Sequence, residues 1–245
     1  MLPGADTITV MPSWIVALVL AGLVGTNIPD AGPTVWPGFA ATSESESTLA
    51  AYAHGPLEVF ATPNDPKGPT RTQEANTILG TVTVLAVLSP PEAGWVEVML
   101  PGRPNGSTGW VRANQVSLFI VDGHITVDLS DKVLTYVIDD VEVLRTQVGI
   151  GSPHNETPVG EFFVTDNVRL ADPTGPWGSH ALGLSGRSDT ITEFNGGDGI
   201  IGIHGTNNPA SIGDDISLGC VRLPNDMIAL LYELVPIGTR VTVQE

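Results

Sequence analysis

The chain of 245 residues holds a single cysteine, Cys220, within Ser217-Leu218-Gly219-Cys220-Val221-Arg222-Leu223, and sixteen positions upstream stands His204-Gly205-Thr206. A thiol attacks as its thiolate, and a free cysteine with a pKa of about 8.5 is mostly protonated at neutral pH. Two neighbours offer activation: His204 as a base and Arg222 as a positive potential that favours an ionised sulfur. On extended backbone, residues i and i+2 share a face, so Cys220 and Arg222 are expected to point into one cleft. Gly219 lets substrate or backbone come close to the sulfur, and the amides around Cys220 can stabilise an oxyanion. Acyl transfer through a thioester is the chemistry these parts would serve. Taken singly, each residue has a plainer reading, as a small buried thiol, a core histidine or a surface charge. Their joint arrangement in a glycine-rich segment favours the catalytic one.

Positioning such groups falls to strands. From Tyr52 to Leu118 the texture is β, with short β-branched or aromatic runs at residues 57–61, 82–88, 95–100 and 109–112 separated by Pro, Gly and Asn. This pattern predicts a small barrel. Farther on, residues 119–121 and 124–127 flank Asp122-Gly123, a strong signal for a two-residue type I′ hairpin. Residues 133–138 and 141–148 flank Asp139-Asp140, a weaker version of the same signal. Further strands are expected at 160–168 and 240–243. One helix is expected over 224–234, with Met227, Ile228, Leu230, Leu231 and Leu234 at helical spacing. Asn225 would cap it, and Pro236-Ile237-Gly238 would stop it.

The segment Ile203-His204-Gly205-Thr206-Asn207-Asn208-Pro209, followed by Ser217-Leu218-Gly219-Cys220-Val221-Arg222-Leu223 and Asn225, resembles the catalytic signature of the L,D-transpeptidases (YkuD family). Thr157-Pro158-Val159-Gly160-Glu161-Phe162 and Ala181-Leu182-Gly183-Leu184 are similar to two further family segments, so the resemblance covers about residues 119–244. It implies a mainly β fold, a YkuD-type β-sandwich with one short helix, acting on peptidoglycan stem peptides outside the cytoplasm. Cys220 would attack the carbonyl between the third stem residue and the terminal D-alanine of a tetrapeptide. The thioester would then pass to an amine of a neighbouring stem, giving a 3→3 cross-link. His204 would be base and then acid, its ring oriented by the backbone carbonyl of Gly205. Arg222, Gly219, Thr206 and His180 are the substrate-binding candidates that the resemblance brings with it. Where many members carry a second histidine before the Gly-Cys pair, this chain has Leu218, which leaves His204 as the single motif imidazole. Gly94-Trp95-Val96 and Gly109-Trp110-Val111 resemble bacterial SH3-like domains, which often accompany cell-wall enzymes.

Composition narrows the alternatives. Twenty-seven acidic against ten basic residues give a formal charge of −17, a surface that repels nucleic-acid backbones. One cysteine excludes an intramolecular disulfide and any thiolate-rich zinc site. No cofactor or metal is expected. Residues 14–24 are almost wholly apolar but shorter than the ~20 residues of a spanning helix, which suits a signal-peptide core, although no Lys or Arg precedes them. The expected organisation is a signal peptide or membrane anchor over 1–25, a Pro- and Ser/Glu-rich linker over 26–50, an SH3-like domain over 51–118 and the catalytic domain over 119–245. The protein would be exported to the cell envelope, on its periplasmic or extracellular face, as a monomer. Sortases place the histidine and arginine at different spacings, and papain-type peptidases reverse the order of cysteine and histidine. Two alternatives stay open: an L,D-carboxypeptidase, in which water replaces the acceptor amine, and a non-catalytic wall-binding protein.

Overall fold

Short β-branched runs become strands here because each can bury alternate side chains against a neighbour while its loops carry the Gly, Pro and Asn. The computed structural model describes residues 48–194 and 197–245. The expected signal peptide or anchor, and all but the last three residues of the expected linker, lie outside the described residues.

In chain order the first strands are β1 (Thr48–Ala53), β2 (Leu57–Val59), β3 (Arg71–Gln73), β4 (Val84–Ala86), β5 (Trp95–Met99), β6 (Thr108–Arg112) and β7 (Val116–Val121). They form a three-stranded sheet in the order β4-β1-β7 and two hairpins, β2–β3 and β5–β6. Single bridges at Phe60–Trp110 and Val87–Val98 tie these pieces together. Leu57, Val59, Leu85, Val96, Val98 and Val111 fill the core between them. Strand β1 begins inside the expected linker, because it pairs on both sides and buries Ala50 and Ala51 completely. Strand β7 likewise runs across the expected boundary at 118/119.

Next come β8 (Gly123–Asp128), β9 (Val133–Ile138), β10 (Val141–Gln147), β11 (Ile150–Gly151), β12 (Gly160–Arg169) and β13 (His180–Arg187). They are followed by β14 (Ile200–His204), β15 (Asp215–Ser217), β16 (Val221–Arg222), α1 (Asn225–Leu234) and β17 (Arg240–Gln244). Eight of these strands make one sheet in the order β10-β9-β8-β17-β12-β13-β14-β16. Strands from both ends of this sheet share one core, with Leu134 and Leu144 at one end and Ile203 and Val221 at the other, and α1 adds Ile228 and Leu231 to it. The opposite face meets the N-terminal strands. Adjacent residues of β12 show the division: Phe162 enters the helix-side core and Phe163 the N-terminal core.

Polar bonds reinforce this junction. Thr77 Oγ1 donates to Asp166 Oδ1 at 2.5 Å, and the Gly102 N–H donates to the Ser185 carbonyl at 3.0 Å. Asn105 exchanges two 2.8 Å bonds with the backbone of Arg187. Phe163→Ala should therefore lower the stability of residues 48–245 as a unit, by about 3–5 kcal/mol. Denaturant unfolding followed by tryptophan fluorescence and circular dichroism should show one coincident, shifted transition. Two separated transitions would show that the two halves fold independently.

Two local expectations are corrected. Asp122-Gly123 makes no hairpin: β7 pairs with β1, and β8 pairs with β9 and β17. Gly123 is needed there for close approach, since a Cβ would run into the ring of Tyr136. The weaker signal is the real turn. Asp139 and Asp140 both take positive φ (48° and 62°) between β9 and β10, as a type I′ turn demands and as Asp tolerates. Asn225 does not cap α1 either; Pro224 holds the N-cap position, and the Asn225 side chain turns towards Thr206.

Candidate active site

Strands β14 and β16 lie side by side in parallel, with Ile203 opposite Val221 and His204 opposite Arg222. Ile201, Ile203, Val221 and Leu223 all enter the helix-side core. By alternation Gly202, His204 and Arg222 face the other way, and Cys220, one residue before β16, falls in line with Gly202. The register thus gathers Cys220, His204 and Arg222 on one face, with a diagonal of roughly 8 Å between the Cys220 and His204 backbones, a gap that side chains can span. Arg222 acts electrostatically on both of the other two.

The backbone around the sulfur is tightly specified. Gly219 has φ +107°, a region closed to most side chains, and a Cβ there would press on Ile201 and the Glu156 carbonyl. Ser217 is buried and closes the turn: it receives the Gly219 N–H at 3.1 Å and donates to the Cys220 carbonyl at 2.6 Å. On the histidine side, His204 Nδ1 bonds the Gly205 carbonyl at 2.6 Å. A carbonyl only accepts, so the proton sits on Nδ1 and Nε2 keeps its lone pair. The Thr206 hydroxyl accepts the Asn208 N–H at 3.0 Å, which makes it part of the loop's framework.

Burial governs the electrostatics. His204 is 6 % exposed, and desolvation carries its pKa down to about 4 despite the Gly205 bond, with the Arg222 charge pushing the same way. The ring is neutral at pH 7. Cys220 keeps partial exposure, yet burial raises its thiol pKa against the opposing pull of the Gly202 N–H and the Arg222 charge. The expected ionised sulfur is therefore corrected: at rest the pair is thiol and neutral imidazole, because Arg222 offsets only part of the desolvation. Such a pair serves chemistry in which proton transfer accompanies attack.

Arg222 is half-buried, its Nε has no hydrogen-bond partner, and it joins no salt bridge among the described residues. His180 lies on β13, next to the site. Its ring packs on Tyr232 of α1, centroids 4.6 Å apart, and its Nδ1 bonds the Ser179 hydroxyl, while its backbone carbonyl accepts the Gly205 N–H. Three residues at the site were not singled out from sequence for the parts they take. Gly202 offers its N–H to the sulfur, Trp177 places its ring 6.3 Å from that of His204, and Asn225 bonds Thr206. The glycine-rich run around Trp177 and the Asn three residues after Arg222 were the available signals. Among the described residues no three His, Cys, Asp or Glu side chains gather as a metal site, and no helix is long and apolar enough to cross a membrane.

A family model, the L,D-transpeptidase catalytic domain (YkuD), matches residues 122–243. The putative L,D-transpeptidase YkuD of Bacillus subtilis (strain 168) is 34% identical over 146 residues, which cover 60% of this chain and 73% of that protein. The protein of the same name from Bacillus licheniformis is 33% identical over 155 residues, 60% of this chain and 85% of its own length. Among solved structures, L,D-transpeptidase 3 from Mycobacterium tuberculosis, in complex with a faropenem-derived adduct, aligns with a TM-score of 0.43 at 18% identity. That alignment covers 66% of this chain and 91% of the other.

Proposed function

Because this chain belongs to the L,D-transpeptidase (YkuD) family, we propose that it is a cysteine transpeptidase of peptidoglycan stem peptides, exported to the cell envelope. Cys220 attacks the carbonyl between the third residue and the terminal D-alanine, and its proton passes to His204 Nε2. The C–N bond then breaks, the proton goes to the departing D-alanine amine, and a thioester remains on Cys220. An acceptor amine of a neighbouring stem attacks that thioester, gives up a proton to His204, and is released as a 3→3 cross-link while the thiol is restored. The observation that supports this reading best is the Nδ1-protonated, neutral His204 sharing a sheet face with Cys220. Gly205 supplies the carbonyl that sets the tautomer.

Arg222 fits a substrate carboxylate, since a half-buried guanidinium with a free Nε is otherwise uncompensated. Gly219 would line the approach to the sulfur, Thr206 would hold the loop beside it, and His180 would act through its backbone. Residues 51–118 are read as an SH3-like module that attaches the monomeric enzyme to the wall, and residues 1–25 as its export signal or anchor.

Incubation with a disaccharide tetrapeptide and weighing of the products tests the reading. A cross-linked dimer with loss of D-alanine is the expected result. Tripeptide alone would make the protein an L,D-carboxypeptidase, and neither product, with retained binding to sacculi, would make it a wall-binding protein.

A further inference from the structure

His204 is buried, and the indole of Trp177 lies near its ring. The indole stands 6.3 Å from the imidazole with planes inclined by 49°, and the Phe194 ring lies 6.1 Å from the indole. Trp177 and Phe194 are about 40 % exposed, whereas His204 is 6 % exposed, so the indole takes the contact with water that the imidazole is denied. What holds the indole there is its neighbour. Gly178 has φ +66°, and a Cβ on it would collide with Asn225 Oδ1 and stand 2.7 Å from the Thr206 nitrogen and 2.8 Å from the Gly205 carbonyl carbon. Gly205 is pressed on the same Asn225 oxygen. That amide accepts the Thr206 N–H at 2.9 Å and donates to the Thr206 carbonyl at 3.0 Å. One side chain at the start of α1 therefore locks both the peptide that receives the ring N–H and the backbone that carries the indole.

We infer that Trp177 is a positioning residue for His204, closing the solvent side of the ring, and that Asn225 fixes the loop on which it stands. Neither touches the reacting atoms. The inference rests on reading His204 as the base, but it concerns the ring itself and can be tested without turnover. Few charges compete for the effect. Arg222 of β16 acts on the ring, and Cys220 shares its sheet face. His180 of β13 turns its ring to Tyr232, and Asp172, in the Trp177 loop, is bonded to Thr174.

The test is NMR titration of His204 in the whole protein, through its ring carbon and nitrogen shifts, for wild type, Trp177→Ala, Trp177→Phe and Asn225→Ala. In wild type the ring should titrate at about 4 as the Nδ1–H tautomer. In Trp177→Ala the midpoint should move up by about one pH unit or more towards the ordinary 6.5, because water reaches the cation. Trp177→Phe should stay near wild type, and Asn225→Ala should shift the midpoint upward and mix the tautomers. Alkylation of Cys220 by iodoacetamide, followed against pH, should show the same order of variants. Titration of Trp177→Ala that coincides with wild type, or Phe and Ala variants that behave alike, overturns the inference. Should Trp177→Ala fail to fold, Trp177→Leu, a smaller apolar cover, is expected to titrate between wild type and the ordinary value. A shifted titration in a protein that makes no cross-links would uphold this inference and refute the proposed function.

Discussion

Cys220→Ala is expected to abolish cross-linking, by roughly 10⁴-fold or more, and to remove the acyl adduct that a carbapenem should leave on the wild-type protein. The magnitude follows from chemistry. Cys220 is the chain's one thiol, and it shares a sheet face with His204 and Arg222. Intact-mass spectra read the result directly: wild type gains the mass of the carbapenem and Cys220→Ala gains nothing. The fold should survive, because Gly219 and Ser217 shape the turn through backbone and hydroxyl bonds that do not involve the sulfur. Cross-links formed by a folded Cys220→Ala protein would refute the assignment. Cys220→Ser should fall nearly as far, since a neutral imidazole with a pKa of about 4 is a weak base for a hydroxyl.

His204→Gln should lower kcat/KM by about 10³–10⁴-fold and change the shape of its pH dependence. Only neutral His204 can receive the thiol proton. In wild type, activity should therefore rise as pH increases through about 4 and level off well below neutrality, with no limb at the ordinary histidine value of 6.5. The variant should lack that limb, and its residual rate should climb instead with the thiolate, at the raised pKa of buried Cys220. Stability carries the same signature. Between pH 6.5 and about 4 the unfolded chain binds a proton at this histidine and the folded chain does not, so wild-type stability falls on acidification through that window. The loss approaches about 3 kcal/mol, reached near pH 4, and His204→Gln should be free of it. An acid limb of kcat/KM centred near 6.5 would show that the ring is far wetter than its 6 % exposure implies.

Much of the fold was readable because its signals are local. The runs that became β5, β6, β8, β9 and β17 are bounded by turn formers, and the apolar spacing of α1 places its buried face. Pairing was not readable. Asp122-Gly123 carries hairpin chemistry, yet the strands on either side of it find other partners, β1 for one and β9 with β17 for the other. Hydrophobic burial across a whole sheet outweighs the preference of two turn residues. For the same reason the step from the N-terminal strands to the eight-stranded sheet could not be drawn as a break: Phe163 belongs to one core by its place in the chain and to another by its packing.

The site divides in the same way. The sequence by itself singled out the candidate reacting groups, because only a few residue types can be nucleophile, base and anion partner, and their order and spacing are written along the chain. Tertiary structure alone decided their protonation. A positive charge two residues from a cysteine suggested a ready thiolate, but the desolvation that opposes it comes from strands and loops distant in sequence. The same holds for Asn225 and Trp177, whose contacts with the loop after His204 bring together residues 19 and 27 or more positions apart. Spacing records which atoms are available; water exclusion, which sets their charge, is a property of everything packed around them.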